Sequence, residues 1–424
     1  MIFIKQIKAL IGVREEAELS PLRGKELGEM GVIEQAWLLL DGDRIVDFGQ
    51  MDELGNAQEG WAQLEAIESQ ADQIIDATGR MVFPAWCDSH THLVYAGSRE
   101  REFMDKIRGL SYQEIARRGG GILNSVALLH DTSEDELVRQ AKERAEEIIR
   151  FGTGAVEIKS GYGLSLEDEV KMLRVARRIG EETPLTVRTT FLGAHAVPMR
   201  YRDDRAAYVD EIINEMIPVI ATEGLAEYID AFCEEGFFSV EDTDRIFNAG
   251  LKYGLIPKVH ANQMSFSGGV QLGVKYGARS VDHLEFTGPE EYRLLAESET
   301  IATLLPGATF FLEMDFPDAR AMIQAGAAVA LATNYNPGSC PCGDMRFMTS
   351  LACLKMKLTP EEAIQAATFN GACAMDVVQE LGSITSGKRA NIFITKPMSS
   401  YEFLPYAFTT PLVDTVILNG KIYE

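Results

Sequence analysis

Residues 81–93 read MVFPAWCDSHTHL. Val82, Phe83, Ala85 and Trp86 form a run without polar alternation, as in a strand buried on both faces of a parallel sheet. The run ends in His90-Thr91-His92. Residues i and i+2 of a strand face the same side, so this ending converges two imidazoles. That spacing suits two ligands of one divalent ion, with N–metal bonds near ~2.0–2.1 Å. Alone, an HxH triplet is common by chance. Its weight depends on what the other strands place at their ends.

Seven further β-type runs follow: GTGAVEIKS (152–160), PLTVRTTFLGAH (184–195), IDAFCEEG (229–236), IPKVH (256–260), ARSVDHLE (278–285), TIATLLP (300–306) and AAVALATN (327–334). Helical patterns lie between them. DELVRQAKERAEEIIRFG (135–152) places Leu137, Ala141, Ala145 and Ile148 at helical spacing, with charges on the other face. Eight strands alternating with helices predict an α/β fold, a (β/α)8 TIM barrel, over residues 81–380. A doubly wound sheet alternates similarly, but no strand here is followed by GxGxxG or a P-loop.

The ends read differently. Residues 33–51 alternate and turn at Asp41-Gly42; RANIFITK (389–396) and PLVDTVILNGKIYE (411–424) are β-like, the latter with an Asn419-Gly420 turn. Residues 1–80 and 381–424 are therefore expected to pair in a small β-sandwich beside the barrel.

The 424-residue chain carries a net charge of −24, which disfavours nucleic acid and anionic lipid as partners. A small anionic substrate remains open, because local Arg or Lys decides that. No apolar run is long enough to span a bilayer, and MIFIKQIKAL lacks the pattern of a signal peptide. Six Cys (87, 233, 340, 342, 353 and 373) are scattered, which fits a reducing cytoplasm rather than a disulfide framework. Cys340-Pro-Cys342 lacks the second pair that a structural zinc needs.

Five of the six His lie at the C-terminal ends of predicted strands: His90 and His92, His195, His260 and His283. Barrel active sites are built at that rim. Only His130 falls elsewhere. A third metal ligand is expected from His260 and a fourth, usually a carboxylate, from a later strand. The eighth strand instead ends in Asn334.

DSHTHL after an apolar strand, with His on strands five and six, resembles the amidohydrolase superfamily. Within it, HLVYAGSREREF, RRGGGI, EIKSGYGL, TFLGAHAVP, HANQ, SVDHLE and NPGS resemble the imidazolonepropionases, over nearly the whole chain. The resemblance implies hydrolysis of the cyclic amide of 4-imidazolone-5-propanoate to N-formimidoyl-L-glutamate in histidine degradation. It implies one zinc or iron ion per chain, held by His90, His92 and His260. It places substrate contacts on Arg99, Tyr162, His195, Gln263, Asn336, Gly338 and Ser339, and His283 near the reacting carbonyl. It also implies a homodimer. The family has Asp at position 334, as metal ligand and proton carrier. Asn offers the metal an oxygen but carries no proton near neutral pH.

Two other functions stay open at this point: another cyclic amidase or aminohydrolase, and a silent ligand-binding relative. Lys159 reads as structural, Gly119-Gly120-Gly121 as a flexible active-site loop, and Met345 and Met348 as packing residues.

Overall fold

The computed structural model describes residues 1–15, 19–52, 58–110 and 121–423. Gly119 and Gly120 lie outside them. Five strands come first: β1 (Ile2–Ile11), β2 (Val32–Asp41), β3 (Arg44–Gln50), β4 (Gln73–Asp76) and β5 (Met81–Pro84). Next come β6 (Trp86–Thr91), β7 (Thr153–Lys159), β8 (Thr186–Ala194), β9 (Tyr228–Cys233), β10 (Ile256–Pro257), β11 (Val259–Ala261), β12 (Ser280–His283), β13 (Ile301–Leu304) and β14 (Val329–Leu331). The chain closes with β15 (Ile392–Thr395), β16 (Val413–Leu418) and β17 (Lys421–Tyr423).

The order β14-β13-β12-β11-β9-β8-β7-β6 is parallel throughout, with β10 prolonging the β11 position against β9. Each of the eight expected barrel runs overlaps one of these strands, with β9 starting one residue before its run and β6 and β11 each ending one residue after. The last gap, between β14 and β6, closes mainly through side chains and single backbone bonds just past β14. Thr333 donates its N–H and hydroxyl to the two oxygens of Asp88, at 2.9 and 2.6 Å, and Asn334 N–H donates to the His90 carbonyl at 2.9 Å.

Helices cover the barrel as their patterns require. Helix Glu134–Arg150 starts at Ser133, whose side chain accepts from Glu136 N–H, and buries Leu137, Ala141, Ala145 and Ile148. Residues Arg205–Thr222 form a helix with a π turn at Ile212–Met216, just ahead of Pro218, whose missing N–H the widened turn accommodates. No helix among the described residues is long and apolar enough to cross a membrane.

Both chain ends meet in one continuous sheet, β17-β16-β15-β5-β1-β2-β3, with β4 alongside β1. This is how the expected sandwich is realised. Its strands alternate between two faces, with bulges where β1 meets β2, β2 meets β3 and β15 meets β16. Leu10, Val82, Ile392, Ile394 and Ile417 build a core belonging to the sheet alone, while Ile11, Met81, Phe83, Phe393, Val416 and Leu418 face the barrel. Phe393 stacks on Phe83 with centroids 5.1 Å apart and tilts against Trp86 at 5.0 Å. A β-carbon at Gly152 would come within 2.8 Å of the Phe393 ring, so glycine lets the chain entering β7 approach that seam.

Candidate metal centre and substrate cavity

His90 is on β6, with His92 just beyond its end. His260 is on β11, His283 ends β12 and His195 follows β8. The barrel turns all five rings into one group. Centroids are 4.5 Å apart for His90–His260, 5.0 Å for His92–His195 and 5.3 Å for His260–His283. His130 stands apart on the surface against Asp168, at 2.8 Å.

Which ring nitrogen is free follows from the partner of the other. His90 Nδ1 donates to Asp282 Oδ2 at 2.6 Å, and His260 Nδ1 donates to Asp230 Oδ2 at 2.9 Å. Both Nε2 atoms therefore carry lone pairs. His90 Nε2 is buried without a hydrogen-bond partner among the described residues. His260 Nε2 faces His92 Nε2 at 3.4 Å, and donors of that kind suit a cation between them. Two ligands ~2.1 Å from a tetrahedral ion stand ~3.4 Å apart. Asn334 Oδ1 is likewise buried with no partner among the described residues. The donor set fits a divalent ion. Among the described residues, the three whose ligand nitrogens all lie within 4.8 Å of one another are His90, His260 and His283, and His92 approaches this group through His260 Nε2.

Electrostatics agree. Burial, reinforced by neighbouring positive charges, holds His90 and His92 well below the ordinary imidazole value. Burial also lowers His260, against the pull of Asp230, and takes His195 down to about 3. All four are neutral at neutral pH, the form that ligates metals and accepts hydrogen bonds.

Beneath the rings lies a buried charge network. Lys159 Nζ donates to Glu157 at 2.6 Å and Asp230 at 2.9 Å, and reaches Asp282 at 3.5 Å. Lys258 pairs with Glu157. Lys159 thus ties together the two aspartates that orient His90 and His260. Burial alone raises the pKa of Asp230, but the His260 and Lys159 charges outweigh it and hold the carboxylate ionised. The structural reading of Lys159 agrees with this, since its ammonium is fully engaged.

Above the rings is a cavity of about 250 Å³. It receives every residue expected to contact substrate: Arg99, Tyr162, His195, Gln263, Asn336, Gly338 and Ser339. The Gly161–Leu164 loop is wrapped on the buried Glu169 carboxylate, which accepts from the N–H groups of Gly161, Gly163 and Leu164 at 3.1, 2.8 and 2.9 Å. A β-carbon on Gly163 would collide with the helix carrying Glu169, which explains the second glycine of GYGL. His195 Nδ1 donates to the Gly161 carbonyl at 3.0 Å, leaving Nε2 as an acceptor. Asn336 spends its amide within the turn. Its Oδ1 accepts from Gly338 and Ser339 N–H, both at 2.8 Å, and its Nδ2 donates to the Asn334 carbonyl at 2.6 Å.

Residues 81–423 match the amidohydrolase family model. The chain is 52% identical over 419 residues to an imidazolonepropionase of Flavobacterium johnsoniae, covering 99% of each chain. It is 52% identical over 421 residues to that of Christiangramia forsetii, again covering 99% of each. The chain belongs to the imidazolonepropionase family of amidohydrolases. Among solved structures it resembles Escherichia coli guanine deaminase (TM-score 0.71, 13% identity, covering 100% of this chain and 98% of that one). It also resembles atrazine chlorohydrolase from Arthrobacter aurescens (TM-score 0.69, 14% identity, covering 100% and 95%). These two likenesses concern the fold.

Asn334 adopts φ 55°, a left-handed conformation that Asn and Asp tolerate better than most side chains. His283 and Leu284 take φ 87° and 71° in succession, a strained passage that swings the His283 ring inward. Sequence reading passed over Glu157, Glu169, Asp230, Lys258 and Asp282. One signal was present: each acid or base inside an apolar strand must find a partner when buried. Lys106 was also passed over, and it lines the cavity. Cys340 Sγ donates to the Cys342 carbonyl at 3.7 Å. Met345 and Met348 are fully buried packing residues.

Proposed function

We propose that this imidazolonepropionase homologue opens the ring of 4-imidazolone-5-propanoate by adding water across its cyclic amide C–N bond, giving N-formimidoyl-L-glutamate. The observation carrying the reading is the facing pair of unencumbered imidazole nitrogens, His92 Nε2 and His260 Nε2 at 3.4 Å, at the floor of a cavity with Arg99 on its wall. His90, His92 and His260 are assigned to one zinc or iron ion, with Asn334 Oδ1 as the fourth donor. When bound, such an ion polarises a carbonyl and acidifies water.

The remaining roles belong to side chains. Arg99 binds the propanoate carboxylate by charge-assisted hydrogen bonds. His195 Nε2 accepts a ring N–H. Tyr162, Gln263 and the Asn336–Ser339 turn fix the ring's orientation. His283 stands beside the carbonyl that becomes tetrahedral and stabilises its oxygen. Asn334 can hold no proton, which favours a second reading: a chain that binds substrate but turns it over slowly. The family's homodimer is proposed for this chain too, checked by sedimentation equilibrium.

The experiment is metal analysis with a turnover assay. One ion per chain and formation of N-formimidoyl-L-glutamate are expected. His90→Ala and His260→Ala should empty the site, whereas His283→Ala should keep the ion and lose rate. Full occupancy in either ligand variant overturns the assignment.

A further inference from the structure

The wall of the cavity holds a cation that the roles above leave unused. Helix Glu100–Ile107 is capped by Arg99 and carries Glu102 and Lys106. Positions 99, 102 and 106 recur at steps of three and four, so their side chains share one helix face. Arg99 and Lys106 both line the cavity. Arg99 cannot give its whole fork to a ligand. Its Nε and Nη2 both donate to Glu102 Oε2, at 2.8 and 2.5 Å. Its Nη1 lies over Gly338, so close that a β-carbon there would overlap it. Glu102 is 8% exposed, and its Oε1 has no hydrogen-bond partner among the described residues. Lys106 is half-buried, with Nζ 5.7 Å from the Phe311 ring centroid.

Charge balance then sets a requirement. Arg99 and Glu102 neutralise each other. A ligand carboxylate arriving at Arg99 puts two anions around one guanidinium, and like charges sharing a desolvated site repel. Lys106 is the nearby cation on the same helix face that can balance the second anion. Its surroundings are those of such a role. Burial first, and the Arg99 charge second, lower its pKa, so an incoming anion relieves an existing strain.

We propose that Lys106 is a specificity-determining residue of the carboxylate subsite, completing a two-cation clamp with Arg99 around the substrate's acidic tail. This rests on the reading that the ligand is an anionic imidazolone. The clamp predicts that discrimination between charged and uncharged tails depends on both cations.

The test uses the metal-loaded full chain and two stable probes, imidazole-4-propanoate and its neutral carboxamide, with dissociation constants from calorimetry. The readout is the ratio of the two affinities. Lys106→Met should lower that ratio about five- to tenfold, the scale of one partly solvated charge contact. Lys106→Arg should restore most of it, and thermal midpoints should stay together because the side chain is only half-buried. Where turnover is measurable, Lys106→Met should raise KM and spare kcat. An unchanged ratio in Lys106→Met overturns the clamp. If Arg99→Met still loses discrimination in that case, the substrate reading stands without it. If the unmodified chain does not prefer the propanoate, the substrate reading fails and the clamp with it. Equal weakening of both probes assigns Lys106 to structure and also overturns the proposal.

Discussion

Asn334 occupies a position where three demands meet. Its backbone is left-handed, its N–H closes the barrel onto His90, and its Oδ1 is buried with no hydrogen-bond partner among the described residues. An aspartate satisfies the same backbone and adds a charge and a proton site. A positioned acid–base group contributes about 10²–10⁴-fold to rate. Asn334→Asp is therefore expected to raise kcat by about two orders of magnitude, measured with metal saturated so that occupancy does not mask chemistry. It should also tighten the metal, since a carboxylate replaces an amide. Equal turnover of the two forms would mean that the proton travels through another group. At this scale the sequence was informative wherever a residue type is scarce. Five of six histidines at strand ends could be read directly. Lys106 could not, because a lysine on a helix is ordinary until the helix is seen to border a cavity.

Strands explain why the imidazoles are aimed at all. Glu157 and Lys159 are on β7, Asp230 on β9 and Asp282 on β12, and each side chain is fully enclosed. Lys159 is the common member, and removing one partner of a buried ionic group leaves the others uncompensated. Lys159→Met should cost about 3–5 kcal/mol in urea denaturation. It should also weaken the metal about 10–100-fold, because the carboxylates behind His90 and His260 lose their fixed positions. Retention of both stability and metal affinity would remove Lys159 from the positioning role. Element boundaries were less legible than element existence. The run 81–90 reads as one strand, yet Met81–Pro84 pairs with β1 and β15 while Trp86–Thr91 pairs with β7. Both halves are buried on both faces, so hydrophobicity does not change where the chain passes from one sheet to the other.

For the whole molecule, the buried rings make stability depend on pH. Burial keeps His90, His92 and His260 below the ordinary 6.5 and His195 down to about 3, whereas unfolding restores the ordinary value. Below that value the unfolded chain binds more protons than the folded one. Stability is thus fully present above about pH 6.5 and is lost as pH falls, by up to ~1.4 kcal/mol per pH unit for each such imidazole. The metal-free protein should show urea midpoints that drop steadily from about pH 6.5 to about pH 5. A flat profile would mean that the imidazoles titrate as they do in water.

The barrel seam has a kinetic consequence. β14 meets β6 through Asp88 and Thr333 and through two backbone bonds just past β14, Asn334 to His90 and His92 to Tyr335, rather than through a full ladder. His90 and His92 stand on one side of that join and Asn334 on the other. Excursions that part the two edges also pull the donor set apart, so a bound ion acts as a clasp across the join. Amide hydrogens of Thr333 and Asn334 should exchange with solvent deuterium more slowly once zinc is added. Amides in the sheet of β1, β2 and β3, remote from the ion, should keep their rates. Equal slowing everywhere would indicate general stabilisation instead of a local clasp.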